Sequence, residues 1–193
     1  MNIDKAIKKQ KSNYIIFVFY MSFIFAFLPV ALFLSGKKGE IYIACLVVIQ
    51  LLIVLEVFRK SFEDLMELKY DDGKIRIRHG FLGKNYSVNC DKIVYVHAVG
   101  EDDKIIIIVG SKKKIKKKTF RQLERKALSK YKEILEYESN LVMEDKSTRI
   151  YYYSFLKGRY IKYSFLDMLY RYCTSAKFSN TAIEKIKFFR VSI

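Results

Sequence analysis

Six lysines crowd into seven residues at Lys112–Lys118 (KKKIKKK), the charged feature that stands furthest above the background of this chain. A dense cation run holds phosphate or carboxylate groups; it points to electrostatic binding of an anionic surface rather than to bond making. Read as a strand, the run puts Lys112, Lys114, Lys116 and Lys118 on one side and Lys113, Ile115 and Lys117 on the other. Two readings stay open: an edge strand kept monomeric by lysine, or a patch facing anionic phospholipid. Nucleic acid is disfavoured, because Tyr151–Tyr153, which could stack on bases, belong to another segment and paired aromatics in a hairpin commonly fill a core.

The residues that usually carry catalysis or hold metals are sparse. His79 and His97 are the only histidines, and with Cys90 and Cys173 they show no C-x-x-C, H-x-x-x-H or H-E-x-x-H spacing. A lone cysteine nucleophile would lack a base in motif context, and neither G-x-x-x-x-G-K-[ST] nor G-x-G-x-x-G occurs. No catalytic residue, cofactor or metal is expected, and the chain reads as a non-enzyme. Three cysteines cannot all pair within one chain, and with a cytoplasmic domain reduced thiols are expected.

The elements that would position the lysines begin with two apolar runs. Residues 13–35 carry no charge, and a second run, 41–58, follows after a short loop. At 1.5 Å per helical residue they reach about 34 and 27 Å, matching a hydrocarbon core of roughly 30 Å. The first run is too long for a signal h-region and is followed by a second span, so the sequence predicts a transmembrane hairpin within residues 1–60. Lys5, Lys8, Lys9 and Lys11 before it and Arg59 and Lys60 after it outnumber Lys37 and Lys38 in the loop. The cation bias predicts a cell-membrane protein with both termini cytoplasmic. Glu56 is expected at the interface, paired with Arg59 or Lys60.

Residues 61–193 hold 28 basic and 17 acidic residues, a net +11 of the whole chain's +16. A basic domain tethered below an anionic leaflet is drawn to it, so membrane lipid is an expected partner. From residue 66 the pattern alternates: Met66–Tyr70, the turn Asp71-Asp72-Gly73, Lys74–His79, Lys84–Cys90, Lys92–Val99 and Lys104–Val109, with Lys112–Lys118 as a sixth strand. Thr119 with Gln122 reads as a capping box for a helix over 120–138. The strands and helix supply a core of their own, so residues 61–193 are expected to fold without the hairpin.

Arg76-Ile77-Arg78, Gly80-Phe81-Leu82, Tyr86–Val88 and Lys92-Ile93-Val94, following two spans, resemble the bacterial membrane proteins with a pleckstrin-homology-like (PH-like) domain. The likeness covers residues 13–138. It implies a strongly bent antiparallel sheet capped by a helix over 61–138, with a binding or assembly role. Residues 139–193 fall outside it. There Arg149–Phe155 and Arg159–Tyr163 read as an aromatic hairpin, followed by helices begun by Ser164/Asp167 and Thr181/Glu184. Phe165, Leu166, Leu169 and Cys173 are expected on one helical face. The predicted architecture is thus an α+β membrane protein: a helical hairpin, a cytoplasmic PH-like β-meander with a capping helix, and a small ββαα appendage. Its expected role is a membrane-anchored binding or assembly module for anionic lipid head groups, a partner protein or a second copy of the chain. The alternative is a structural subunit of a larger membrane complex that uses the hairpin as its interface.

Overall fold

A computed structural model of the chain describes residues 2–36, 39–80, 83, 85–114, 120–124, 128–144 and 150–192. It begins with two antiparallel helices, α1 (Ile3–Leu34) and α2 (Glu40–Asp64), packed on each other. Asn2 starts α1 by accepting a hydrogen bond from the Lys5 amide at 3.0 Å, one of the donors a helix N-terminus leaves unpaired. Both helices are long and apolar enough to cross a membrane, and the most apolar stretch of each is unburied by protein. Arg59 binds Glu56 at 2.6 Å, the boundary pairing expected from sequence.

α1 is longer than the apolar run predicts. Its first ten residues, about 15 Å of helix, run beyond that run into the folded domain. Ile3 is 0% exposed within the main core, and Ile7 packs against the same cluster. The core of the domain therefore includes residues from ahead of the hairpin, and residues 61–193 by themselves leave an isoleucine-shaped gap.

After α2 the chain forms β1 (Met66–Asp71), β2 (Lys74–His79) and β3 (Asn85–Asn89), an antiparallel three-stranded sheet. Asp72 and Gly73 both take positive φ (43° and 69°), as the primed two-residue turn between right-twisted strands requires, which fixes the pairing of Asp71 with Lys74. The alternation in β2 is realised as read: Ile75 and Ile77 are buried, whereas Arg76 and Arg78 face outward. A 3-10 turn at Cys90–Lys92 then redirects the chain into β4 (Ile93–Val99) and β5 (Ile106–Ser111) of a second sheet. With β6 (Phe120–Gln122), β7 (Tyr151–Phe155) and β8 (Lys177–Phe178), that sheet has the order β6-β7-β5-β4-β8; only β8 runs parallel to its neighbour.

Both faces of the larger sheet are covered, which is why β4 reads as apolar on both sides. One face, with Ile107, Val109, Tyr153 and Phe155, joins the main core beneath the three-stranded sheet, α4 (Ile161–Tyr172) and α5 (Asn180–Val191). The other, with Tyr95, Ile108 and Tyr152, packs against Ile134 of α3 (Lys132–Glu144). An irregularity between Ile93 and Tyr95 shifts the register, so Ile93 and Val96 both reach the main core. The architecture is two long apolar helices followed by mainly antiparallel sheet and helices, an α+β layout.

Four expectations are corrected. The single meander is two sheets, divided at Cys90–Lys92. Of the stretch expected as one helix over 120–138, residues 120–122 pair with β7 instead and α3 covers Lys132–Glu144; tertiary pairing overrides the local capping signal, and Thr119 itself lies outside the described residues. The aromatic hairpin of the tail does not form. β7 pairs with β5 and β6, while the residues expected as its partner turn into α4 through Gly158 and Arg159, both at positive φ. Lastly, residues 150–192 are integral to the domain: β7 is an inner strand, and Phe165, Leu166, Leu169 and Cys173 of the expected helical face are all buried in the main core.

Candidate functional site

The densest polar network lies where the two long helices meet the domain. Gln10 of α1 donates to the Asp64 carbonyl at 2.8 Å, and its side-chain oxygen accepts from the Tyr160 amide. The Asp64 carboxylate, 2% exposed, is held by Lys60 at 3.1 Å and Arg159 at 3.3 Å. Arg159 also reaches Asp103 at 3.0 Å, bridging the end of α2 to the turn before β5. Burial opposes its charge, but hydrogen bonds to Asp103 and Asp64 prevail and hold the guanidinium pKa above its ordinary value. Beside it, buried Lys162 donates to the carbonyls of Asp103, Ile105 and Leu156. Desolvation lowers its pKa to about 8, against the pull of Asp103 and with Arg159 adding repulsion. Three carbonyls take up all three N–H donors of an ammonium, so this lysine is a structural staple and offers no free lone pair for chemistry.

A second cluster imitates a nucleophilic triad. Ser179, His97 and Glu133 converge between α5, β4 and α3: His97 Nδ1 lies 3.0 Å from Ser179 Oγ and 3.7 Å from Glu133. In a working triad the two ring nitrogens divide the tasks, one facing the nucleophile and the other the carboxylate. Here the same Nδ1 faces both, and Thr181 as well at 3.3 Å. Ser179 Oγ is also committed as the N-cap of α5, accepting from the Ala182 amide. Burial lowers the His97 pKa against the pull of Glu133. The cluster caps a helix and ties it to the sheet.

His79 is buried against Phe155 and Tyr86, and neither ring nitrogen has a hydrogen-bond partner among the described residues. Desolvation, helped by the nearby Lys157 charge, lowers its pKa to about 4. An unfolded histidine titrates near 6.5, so between about pH 6.5 and 4 the unfolded chain binds the extra proton. Stability is therefore complete above pH 6.5 and falls as the pH drops through that window, by about 3 kcal/mol in total. We expect the acid slope of an unfolding titration to flatten in His79→Phe, whose ring suits the aromatic surroundings. An unchanged slope in that variant would assign the acid sensitivity elsewhere.

The lysine run is not a described strand. Lys112, Lys113 and Lys114 form an exposed bend after β5, with Ser111 Oγ bonded to Lys113, whereas Lys116, Lys117 and Lys118 lie outside the described residues. β5 starts beside Ile105, whose carbonyl belongs to the Lys162 network, and runs away from it. At about 3.3 Å per residue, Lys112 sits roughly 20 Å along the strand from that junction. Opposite ends of one strand thus carry the helix junction and the lysine bend.

The cysteines depart from expectation. Cys90, at the turn between the sheets, is disulfide-bonded to Cys173, which ends α4; Cys45 alone is free. The two residues are 83 apart in sequence, with no local spacing to announce them. The junction residues Gln10, Asp64, Asp103 and Arg159 are equally scattered, and the sequence offered no signal for them beyond individual charge.

Among the described residues no group of three or more His, Cys, Asp or Glu side chains is placed to hold a metal ion. Compared with known proteins, the chain matches no family model, no curated protein and no solved structure.

Proposed function

We propose that the protein is a membrane-anchored, non-enzymatic binding module whose basic domain, held at a fixed attitude by the helical hairpin, presents the Lys112–Lys118 end to an anionic partner surface. The carrying observation is the junction: Gln10, Asp64, Asp103 and Arg159 knit both long helices to the sheet, and Ile3 is sealed into its core. A domain on a loose tether could roll its basic end against its own leaflet. One riveted at the opposite end of β5 carries its lysines away from the junction, toward an acidic protein or a facing anionic surface. The cation bias around the hairpin supports cytoplasmic termini. The PH-like reading draws support from the three-stranded meander leading into a second antiparallel sheet, and departs from it where β7 inserts between β5 and β6.

Two measurements test the proposal on the full chain. Alkaline extraction of membranes should leave the protein in the pellet; release into the supernatant removes the anchor. Reconstituted into neutral vesicles, the protein should capture separate vesicles rich in phosphatidylglycerol, and more weakly as salt shortens the screening length. Replacing Lys112, Lys114, Lys116 and Lys118 together by Gln should abolish most of this capture, since each lysine near an anionic surface contributes about 1 kcal/mol. Unchanged capture sinks the lysine assignment. Self-association of the quadruple variant would show instead that the lysines protect a sheet edge.

A further inference from the structure

Beside the junction a cleft of about 410 Å³ opens between α1 and the β1–β2 edge, lined among others by Lys11, Tyr14, Ile15, Leu65, Glu67 and Arg78. Its height relative to a bilayer follows from the helices. The Gln10–Asp64 hydrogen bond sets residue 10 level with residue 64, so the uncharged run that starts at residue 13 lies level with the Arg59–Lys60 exit of α2. Lys11 is therefore the last cation of α1 before hydrocarbon, and Ile15, one turn further, is already on the lipid side with 67% of its surface exposed. The cleft spans that step: cations at phosphate depth, apolar wall above.

Its charge suits one class of molecule. Lys11 and Arg78 face it with Glu67, which Arg78 approaches at 3.9 Å, leaving one net positive charge. We propose that this cleft is a binding site for the head group of an anionic glycerophospholipid, with the phosphate between Lys11 and Arg78 and an acyl chain along Tyr14 and Ile15. An arginine fork suits two phosphate oxygens, and a lysine adds a point charge. The site lies against the protein's own leaflet, separate from the lysine bend at the far end of β5. The inference rests on the membrane anchorage proposed above, and its ligand is a lipid rather than soluble phosphate because most of the lining surface is apolar and continuous with the lipid-facing side of α1.

The full chain, purified in mild detergent and supplied with equal phosphatidylglycerol and phosphatidylcholine, should retain phosphatidylglycerol about tenfold more, read as bound lipid by native mass spectrometry. Lys11→Gln with Arg78→Gln should bring the two lipids to parity, and Lys11→Gln alone, an exposed change on α1, should remove part of the preference. Lys5→Gln with Lys9→Gln removes the same charge from the neighbouring cleft on α1, and should leave the preference intact. Equal retention by the unaltered protein, or equal loss in the Lys5/Lys9 control, overturns the site. Displacement of the lipid by inorganic phosphate overturns the lipid as its source. Release of the chain by alkaline extraction would instead refute the anchorage, so the two failures are distinguishable.

Discussion

Opening the Cys90–Cys173 bond is expected to lower the stability of the domain by about 4.5 kcal/mol, the entropy released when an 83-residue cross-link leaves the unfolded chain. That is a large share of the stability of an ordinary domain. The bond joins the turn between the two sheets to the end of α4, so its loss frees the three-stranded sheet from the helix beneath it. Denaturant titration of the full chain with and without reductant measures the effect, and Cys90→Ser with Cys173→Ser should be weak from the outset and indifferent to reductant. A midpoint that ignores reductant in the unaltered protein refutes the bond's contribution. The same pair tests the topology. A reducing cytoplasm holds thiols open, whereas an extracytoplasmic domain would keep them bonded. With the proposed cytoplasmic termini, acid-quenched alkylation in intact cells should find Cys90 and Cys173 as thiols beside Cys45, three in all; a bonded pair, which leaves Cys45 alone to react, reverses the orientation.

Legibility in this sequence followed the range of the interaction. Ile75 and Ile77 alternate with Arg76 and Arg78, and Asp72-Gly73 demands positive φ; both are properties of neighbours, and both were realised. The apolar runs and the buried face of α4 were readable for the same reason. What failed was decided far away. Residues 120–122 became a strand because Phe155, Ser154 and Tyr153 were there to pair with them, and Tyr152 and Tyr153 are buried on opposite faces of an inner strand that local alternation took for a hairpin. Ile3 looked like part of a charged flank, yet it fills a core built from residues sixty and more positions away. The polar junction has the same character. It joins residues 10, 64, 103 and 159, and no window of the sequence holds two of them.

Arg159 is the residue on which that junction turns, and Arg159→Met should cost about 2 kcal/mol, between a surface pair and a buried one, because Asp64 is buried whereas the guanidinium is 42% exposed. Methionine keeps much of the stem and removes the charge, leaving the buried Asp64 carboxylate with Lys60 alone and Asp103 unbridged. The backbone does not enter the difference: Arg159 sits at φ 45°, a left-handed conformation that costs methionine, which also carries a Cβ, as much as arginine. Asp64→Asn should cost less in the Arg159→Met background than alone, since the charge it removes has already lost one of its two cations and keeps only Lys60. The coupling also has a spatial signature. With the bridge gone, α1 residues 3–10 lose their attachment at Tyr160, so their amide exchange should quicken well before that of β4 and β5. Uniform acceleration across the domain would mean that Arg159 supports the fold as a whole. Faster exchange confined to residues 3–10 would mean that it fastens the helices to the domain, the fixed attitude on which the proposed binding role depends.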